Sequence, residues 1–372
     1  MRVDRLETQN FRNLENTKLS LSPGVNLFVG ENGQGKTNLL EAVYLFKFGK
    51  SFRAGHETEM VGFGEAFCRL EASCTYAGDY TDTFSISLQR NGRKKISVSG
   101  EDVSKLSDLI GRYPVVMFGP HDLRIVSGSP GERRRFVDIV GSMTDAVYVR
   151  LLRDYRRILN QRNAALKANA SRREREAWNV ELVEKGVELI SRRRTLTEKL
   201  EQHLARHVAN LGVPFGFSLE YSSTIADEGV VMAADGQAAG RDEMKSVFET
   251  RLAALEREEL RRGTTLAGPH RDDIVIRLSG KEVRRYGSQG QRRLLVILLK
   301  LSEMTFLEDE KGEPCVLLLD DVFSEFDAVI TEKMQGVLES GRQVLVTSPV
   351  SLDWAVSRDV RHFTVQDGCV EF

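Results

Sequence analysis

The apolar and polar positions fall into three regimes along the chain. In the first, period-two alternation dominates. Val3–Thr8 alternates, Lys18–Leu21 is a shorter strand, and Val25–Val29 is an apolar run after the turn Ser22-Pro23-Gly24. A glycine-rich loop and a helix over Asn38–Phe48 follow. Leu70–Tyr76, Asp82–Gln89 and Lys95–Ser99 then form an antiparallel meander, and Tyr113–Phe118 is one more strand. Beyond Pro130 the period changes to 3.6. Helices are predicted over Gly131–Ser142, Asp145–Ala168 and Ser171–Asn210, the last stopped by Gly212-Val213-Pro214. Two long amphipathic helices in succession suggest an antiparallel helical arm. In the third regime the two periods mix. Phe215–Tyr221 is a strand, 226–240 is a low-complexity Gly/Ala/Asp stretch, and Arg241–Arg262 is a helix. A hairpin is expected from Asp273–Leu278 and Val283–Tyr286 around Ser279-Gly280. A helix over Gln289–Phe306, a buried strand Cys315–Leu319, a helix about Ala328–Ser340, the strand Gln343–Thr347 and two short C-terminal strands complete the chain.

Composition narrows the class. The 372 residues correspond to about two and a half domain equivalents. With 41% hydrophobic and 29% charged residues, the chain is neither disordered nor membrane-embedded by composition. No apolar run reaches membrane-spanning length, and Met1–Arg5 has no apolar signal-peptide core, so a cytoplasmic protein is expected. Cys68, Cys74, Cys315 and Cys369 have no zinc-like spacing. The formal net charge of −1 points to no nucleic-acid partner, but the charge is unevenly placed. Glu132–Arg206 holds 18 Lys and Arg against 11 Asp and Glu, a local +7. The clusters Arg133–Arg135, Arg156-Arg157, Arg172-Arg173 and Arg192–Arg194 carry forks suited to phosphate. The plainer reading is a solvated helix face with Glu–Arg pairs. As a DNA surface, Arg156/Arg157 and Arg192/Arg193 would be two separate patches, and no basic patch interleaved with aromatics is evident, which favours duplex over single strands.

The chemistry lies in three motifs. Gly30-Glu31-Asn32-Gly33-Gln34-Gly35-Lys36-Thr37 matches G-x-x-x-x-G-K-[ST] between an apolar strand and a helix, the context the motif requires. The glycines let backbone N–H groups wrap an anion, Lys36 reaches the β/γ-phosphates of ATP, and the Thr37 hydroxyl ligates Mg²⁺. Cys315–Leu319 ends in Asp320-Asp321. An unbroken apolar run reads as a strand of a parallel sheet, so both carboxylates sit at the ligand edge. Asp320 is placed to hold Mg²⁺ and Asp321 to polarise an attacking water. The third motif, Ser288-Gln289-Gly290-Gln291, opens a helix 30 residues before the acidic strand and resembles the signature of ABC-type ATPases. That likeness implies that Ser288, Gly290 and Gln291 contact the γ-phosphate bound to a second subunit. Ser324–Asp327 then resembles a D-loop.

The resemblance sharpens to the RecF family. It rests on Asn10-Phe11-Arg12-Asn13, Ser51-Phe52-Arg53, Phe118–Leu123, Gly128–Asp138, Thr265–Asp273, Ser288–Gln291 and Leu319–Asp327. It implies an α/β ABC/SMC-type P-loop ATPase head with an antiparallel β subdomain and an inserted helical arm. In domain terms, 1–118 is lobe I, 119–312 is lobe II with the arm at about 131–262, and 313–372 returns to lobe I. It further implies nucleotide contacts from Arg12 and Asn13, ATP-driven homodimerisation, slow DNA-stimulated ATPase activity used as a switch, and sequence-nonspecific binding of gapped or duplex DNA. Partnership with RecR and RecO in loading RecA, in a cytoplasmic, nucleoid-associated setting, follows from the same resemblance. The chain departs from common ABC heads in three places. Asp321 stands where Glu is usual, Thr347 or Ser348 stands near a usual His, and the Q-loop candidate Gly119–Leu123 has no glutamine. His270 is expected in a structural loop and not at a metal. The alternatives are another ABC or SMC-type ATPase acting on a protein scaffold without DNA, and a small-molecule P-loop kinase. The latter has no lid-type Arg helix and leaves Ser288–Gln291 unexplained.

Overall fold

A bulge near the N-terminus shows how the first strands are seated. In the computed structural model, which describes residues 1–76, 78–225, 240–325, 341–352 and 360–372, β1 (Arg2–Gln9) pairs antiparallel with β2 (Thr17–Ser20), and its register against the strand Phe67–Thr75 shifts between Val3 and Arg5. Asp4 is the extra residue, and Val3 keeps its place opposite Cys74 while turning its backbone polar groups to Gln343. The Val3 N–H donates to Gln343 Oε1 and its carbonyl accepts from Gln343 Nε2, both at 2.7 Å, so no buried backbone group is left unmet. After β3 (Val25–Val29) and α1 (Lys36–Phe48) come β4 (Phe67–Thr75), β5 (Thr81–Gln89), β6 (Lys94–Val98) and β7 (Glu101–Asp102), which complete a six-stranded sheet in the order β2-β1-β4-β5-β6-β7. Its inner face follows the alternation read from the sequence: Leu70 lies opposite Ile86, Ala72 opposite Phe84, and Ile86 opposite Ile96. These side chains pack with Leu40, Val43, Phe46 and Tyr113 in one core. β8 (Val115–Phe118) ends the N-terminal part of the first of two units, Met1–Asp122 with Glu303–Phe372.

The second unit, Leu123–Ser302, is mostly helical. α2 (Leu123–Ser127) precedes α3 (Pro130–Thr144), where Pro130 fits the first helical turn. α4 (Ala146–Lys167) and α5 (Arg172–Asn210) run antiparallel, since Arg162 meets Asn179 and Arg192 meets Asp145. Gly186 lets Phe248 of α6 (Arg241–Arg262) close on this pair, because a Cβ there would lie 2.6 Å from the ring. β9 (Phe217–Ser222), β10 (Asp273–Leu278) and β11 (Lys281–Glu282) form a small antiparallel sheet. The expected second hairpin arm at Val283–Tyr286 is instead the helical turn α7 (Val283–Tyr286). Only Val283 is buried there, so no alternating apolar face holds the segment against β10. α8 (Gln289–Lys311) runs five residues past the expected end, because Leu307 continues the buried face until Gly312 breaks it at φ 68°.

β12 (Val316–Asp320), β13 (Val344–Ser348), β14 (Val360–Gln366) and β15 (Cys369–Glu371) form a second six-stranded sheet in the order β15-β14-β3-β13-β12-β8. All pairs are parallel except β14–β15. Every side chain of β8, β12 and β13 is buried, as an unbroken apolar run requires. α1 packs on these three strands. The helix expected about Ala328–Ser340 and the stretch 226–239 lie outside the described residues. Among the described residues, no helix is long and apolar enough to cross a membrane.

The most deeply buried ion pair of the helical unit is Arg162–Glu259. The guanidinium reaches Glu259 Oε2 at 2.6 Å, Thr265 Oγ1 at 2.7 Å and Asn179 Oδ1 at 2.7 Å. Arg162→Met should lower unfolding free energy by about 3–5 kcal/mol, because it strands a buried carboxylate. Exposed Arg173→Met should change it by less than about 0.5 kcal/mol. Denaturant midpoints compare the two.

Candidate nucleotide site

The parallel register brings the ends of β3, β12 and β13 to one edge of the sheet. The Gly30–Thr37 loop leaves β3 there and enters α1. Gly33 and Gly35 adopt φ 88° and 113°, which side chains at these positions would resist. Gly30 is glycine for a different reason: a Cβ would lie 2.1 Å from the Val365 carbonyl oxygen of β14. Glu31, Asn32 and Gly33 are exposed along the loop crest. Lys36 is buried, and its ammonium donates to the Gly30 and Glu31 carbonyls at 2.7 and 3.0 Å and lies 4.0 Å from Asp321. Gln34 faces the β14–β15 turn. Its carbonyl accepts from the Gly368 N–H at 3.0 Å and its side-chain oxygen from the Asp367 N–H. This contact was not foreseen. Gln366-Asp367-Gly368 reads as a turn in sequence, but nothing there says what the turn touches.

Asp320 ties the elements together. Its Oδ1 accepts from Thr37 Oγ1 at 2.7 Å and from Thr347 Oγ1 at 3.0 Å, while the Thr347 oxygen accepts from the Asp321 N–H at 2.9 Å. Burial pushes the Asp320 carboxyl above its ordinary range, against the lowering effect of the two hydroxyls. Asp321, at φ 51°, turns its half-exposed side chain away from the strand. Of the two residues considered in place of the usual His, Thr347 joins the acidic pair, whereas Ser348 bonds the Val350 backbone. The Q-loop candidate lies beside the acidic strand, a Cβ on Gly119 falling 3.6 Å from Asp320 Cβ, and the His121 ring stacks on Phe52 at 5.0 Å.

Arg12 is held by α1. Its fork closes on Glu41 of α1 at 2.7 and 3.0 Å, and Arg53 and Ser51 bond the same carboxylate. Burial works to raise the Glu41 pKa, but the hydrogen bonds from Arg12, Arg53 and Ser51 outweigh it and hold the carboxyl below its ordinary value. Asn13 bonds the Gly33 carbonyl at 3.1 Å and accepts from Asn38. Arg12 and Asn13 therefore brace the loop from beneath.

Ser288, Gly290 and Gln291 lie in the other unit, at the start of α8. The Ser288 N–H donates to Gln291 Oε1 at 2.8 Å, and Ser288 Oγ accepts from the Gln291 N–H at 3.2 Å. This is a capping box, and its S-x-x-Q spacing was legible. The N–H of Ser288 and a lone pair of its hydroxyl oxygen are thus engaged within the turn. The described part of the D-loop segment ends before Asp327. His270 is structural: neutral, its pKa lowered to about 4 by burial, it sits between the Tyr155 hydroxyl at 2.8 Å and the Thr265 carbonyl at 3.2 Å. No cluster of three metal-ligating side chains occurs among the described residues.

The basic segment differs from expectation. Arg193 is buried and forks onto Asp138 at 2.8 Å, Arg192 meets Asp145, and Arg133 forks onto Asp273 at 2.7 Å. Arg192/Arg193 therefore do not form a phosphate-binding surface. Arg193 sits one turn from Ile190 and Thr197 on the inner face of α5. Arg135, Arg156, Arg157 and Arg173 remain exposed.

A family model described as the RecF/RecN/SMC N terminal domain matches residues 2–368. The chain is 32% identical over 384 residues to the DNA replication and repair protein RecF of Oceanobacillus iheyensis, with all of each chain covered. This chain belongs to the RecF family. Among solved structures, the recombination mediator protein RecF–ATP in the RecFOR pathway is similar at 31% identity and a TM-score of 0.89, over 99% of this chain and 96% of its own. An Smc head bound to the C-winged helix domain of ScpA, 15% identical with a TM-score of 0.56 over 100% and 96% of the two chains, shares the fold. The RecF-family chain thus has the ABC-type head fold, with a β subdomain and inserted helices.

Because the Glu41 pKa is lowered in the folded state, its contribution to stability is present above the unfolded carboxylate pKa and is lost as pH falls through the folded value. Glu41→Gln should therefore be less stable than the parent at neutral pH, and the gap should narrow on acidification. Chemical denaturation at pH 7 and pH 4 measures it. An unchanged gap would separate Glu41 from the titration.

Proposed function

We propose that this RecF-family protein is an ATP-gated DNA-binding protein of recombinational repair and replication restart. It binds ATP at Gly30–Thr37, closes as an ATP-dependent homodimer on gapped or duplex DNA without sequence preference, and hydrolyses ATP slowly. With RecR and RecO it helps load RecA, in the cytoplasm and at the nucleoid. The observation that carries this reading is the Thr37–Asp320–Thr347 hydrogen-bond chain beside the buried ammonium of Lys36. Hard oxygen donors from a hydroxyl and a buried carboxylate suit Mg²⁺, and Thr37 and Asp320 would hold it. The ion would neutralise phosphate charge. Lys36 would bind the β/γ-phosphates, and Asp321, next along the chain, would orient water. The shorter carboxylate of Asp321 suits a switch better than a rapid turnover cycle.

The proposed lobes are 1–118, 119–312 with an arm at 131–262, and 313–372. Across the dimer, Ser288, Gly290 and Gln291 would meet the partner's γ-phosphate. The capping box leaves the Ser288 hydroxyl proton and the first-turn N–H groups of Gln289 and Gly290 for that anion. Lys36→Met should abolish tight ATP binding in a folded protein, whereas Asp321→Asn should keep ATP bound and unhydrolysed. Isothermal titration and phosphate release measure these, and unchanged ATP affinity in Lys36→Met would remove the basis of the reading. Ser288→Arg should bind ATP at near-normal affinity yet stay monomeric by light scattering. ATP-driven dimerisation of that variant would refute the signature role.

A further inference from the structure

The α7 turn carries a cationic surface that the site described above does not use. From Lys281 to Arg293, five cations (Lys281, Arg284, Arg285, Arg292, Arg293) stand against one acid, Glu282, in a chain whose net charge is −1. Lys281, Arg284 and Arg285 are exposed. Tyr286 is 66% exposed, an unusual placement for so large a ring, and the Lys281 ammonium lies 5.8 Å from its centroid. The turn is held in place. Val283 is buried beneath it, the Gly287 N–H closes on the Val283 carbonyl at 2.9 Å, and Arg292 of α8 donates to the Arg284 carbonyl at 2.9 Å. A Cβ on Gly287 would lie 2.8 Å from the Val283 carbonyl, so the turn is also tight. The result is an exposed aromatic ring with a cation over it, on a backbone held by Val283 and Arg292, immediately before Ser288.

We propose that Lys281, Arg284, Arg285 and Tyr286 form a single-stranded DNA subsite, in which the three cations follow the phosphodiester backbone and Tyr286 stacks on an unpaired base. The proposal rests on the DNA-binding reading above and locates it on α7, where Lys281–Tyr286 is the basic patch with an aromatic that the sequence reading did not find. Charge complementarity selects a polyanion, and an exposed π-face flanked by cations is the pairing that single-strand binders use. An acidic protein segment would satisfy the cations but has no flat base for the ring. Because Arg292 joins the turn to the first turn of α8, strand engagement would reach the Ser288 capping box through one hydrogen bond.

The test uses the full chain with ATP and three DNAs: single-stranded, gapped and blunt duplex. Lys281→Glu/Arg284→Glu/Arg285→Glu should keep the parent's thermal midpoint, ATP affinity and ATP-driven dimerisation. Its single-strand affinity should fall, and its log–log salt slope should flatten by about 2, near 0.7 per lost phosphate contact. Tyr286→Ala should weaken single-strand and gapped binding roughly tenfold and leave blunt duplex unchanged, with Tyr286→Phe restoring it. Parental single-strand affinity and slope in the triple variant, with binding lost instead in Arg156→Glu/Arg157→Glu, would overturn the subsite while leaving the DNA-binding reading intact. No DNA binding by the parent, despite ATP-driven dimers, would overturn both. Displacement of the DNA by poly-glutamate at equal charge, insensitive to Tyr286→Ala, would overturn the nucleic-acid assignment of the patch.

Discussion

The nucleotide edge depends on the parallel register of three strands. Leu319 of β12 lies opposite Val346 of β13, and Val346 opposite Leu27 of β3. With that register fixed, β12 ends in Asp320, its neighbour presents Thr347, and the loop after β3 delivers Thr37. A single carboxylate oxygen then receives two hydroxyls from segments separated by hundreds of residues in sequence. A slip of one residue in β12 would turn Asp320 to the opposite face and remove the meeting point. The apolar side chains of β8, β12 and β13 therefore do more than fill a core. Burial on both faces penalises a register that draws Asp320 further into the sheet, and the polar chemistry is appended where the apolar run ends.

A second constraint acts on the loop itself. Gly30 lies against the Val365 carbonyl, Gln34 bonds the turn that holds Gly368, and Asn13 bonds the Gly33 carbonyl. The Asn10–Asn13 turn is in turn linked through Arg12 to Glu41 on α1. The phosphate loop is thus preorganised by three separate parts of the chain. Little ordering then remains for a ligand to impose, which favours binding. The same logic explains why Glu41 can be buried: three donors meet its charge, and without them its desolvation would dominate.

Much of this was legible in the sequence, for identifiable reasons. The phosphate loop and the acidic strand combine local motif with local context, and β3 was read to its exact bounds because the apolar run and the turns on either side of it are all local. The alternation of β4 to β6 likewise gave the inner face of the β subdomain. Failures arose where a residue's role is set from a distance. Val283–Tyr286 carries a strand-like mixture, but its neighbours decide between strand and turn. Arg193 looks like its neighbours in a run of three arginines, yet helical phase places it inside, opposite Asp138. Counting charge along the chain could not separate cations that hold helices together from those that face solvent. Ser288 shows a different shortfall, because one short pattern supports both a capping box and an anion site, and local geometry shows only the first.

The distribution of arginine follows from this separation. In a chain of nearly balanced charge, many arginines of the helical unit are paired with acids inside it, so a positive surface depends on where the acids are few. Arg133 and Arg193 each fork onto a carboxylate with two hydrogen bonds, Arg162 meets Glu259 with one and two neutral oxygens with the others, and Arg's planar fork is what makes such buried pairs possible. The arm therefore spends its positive charge on rigidity. Around α7 one acid faces five cations, and the backbone is held by Val283 and Arg292 without consuming the exposed Lys281 and Arg284. A polyanion approaching the helical unit meets a field set by exposed cations and the acids beside them, not by the total number of arginines. A count of basic residues along the chain and the exposed positive charge on the fold are consequently different quantities.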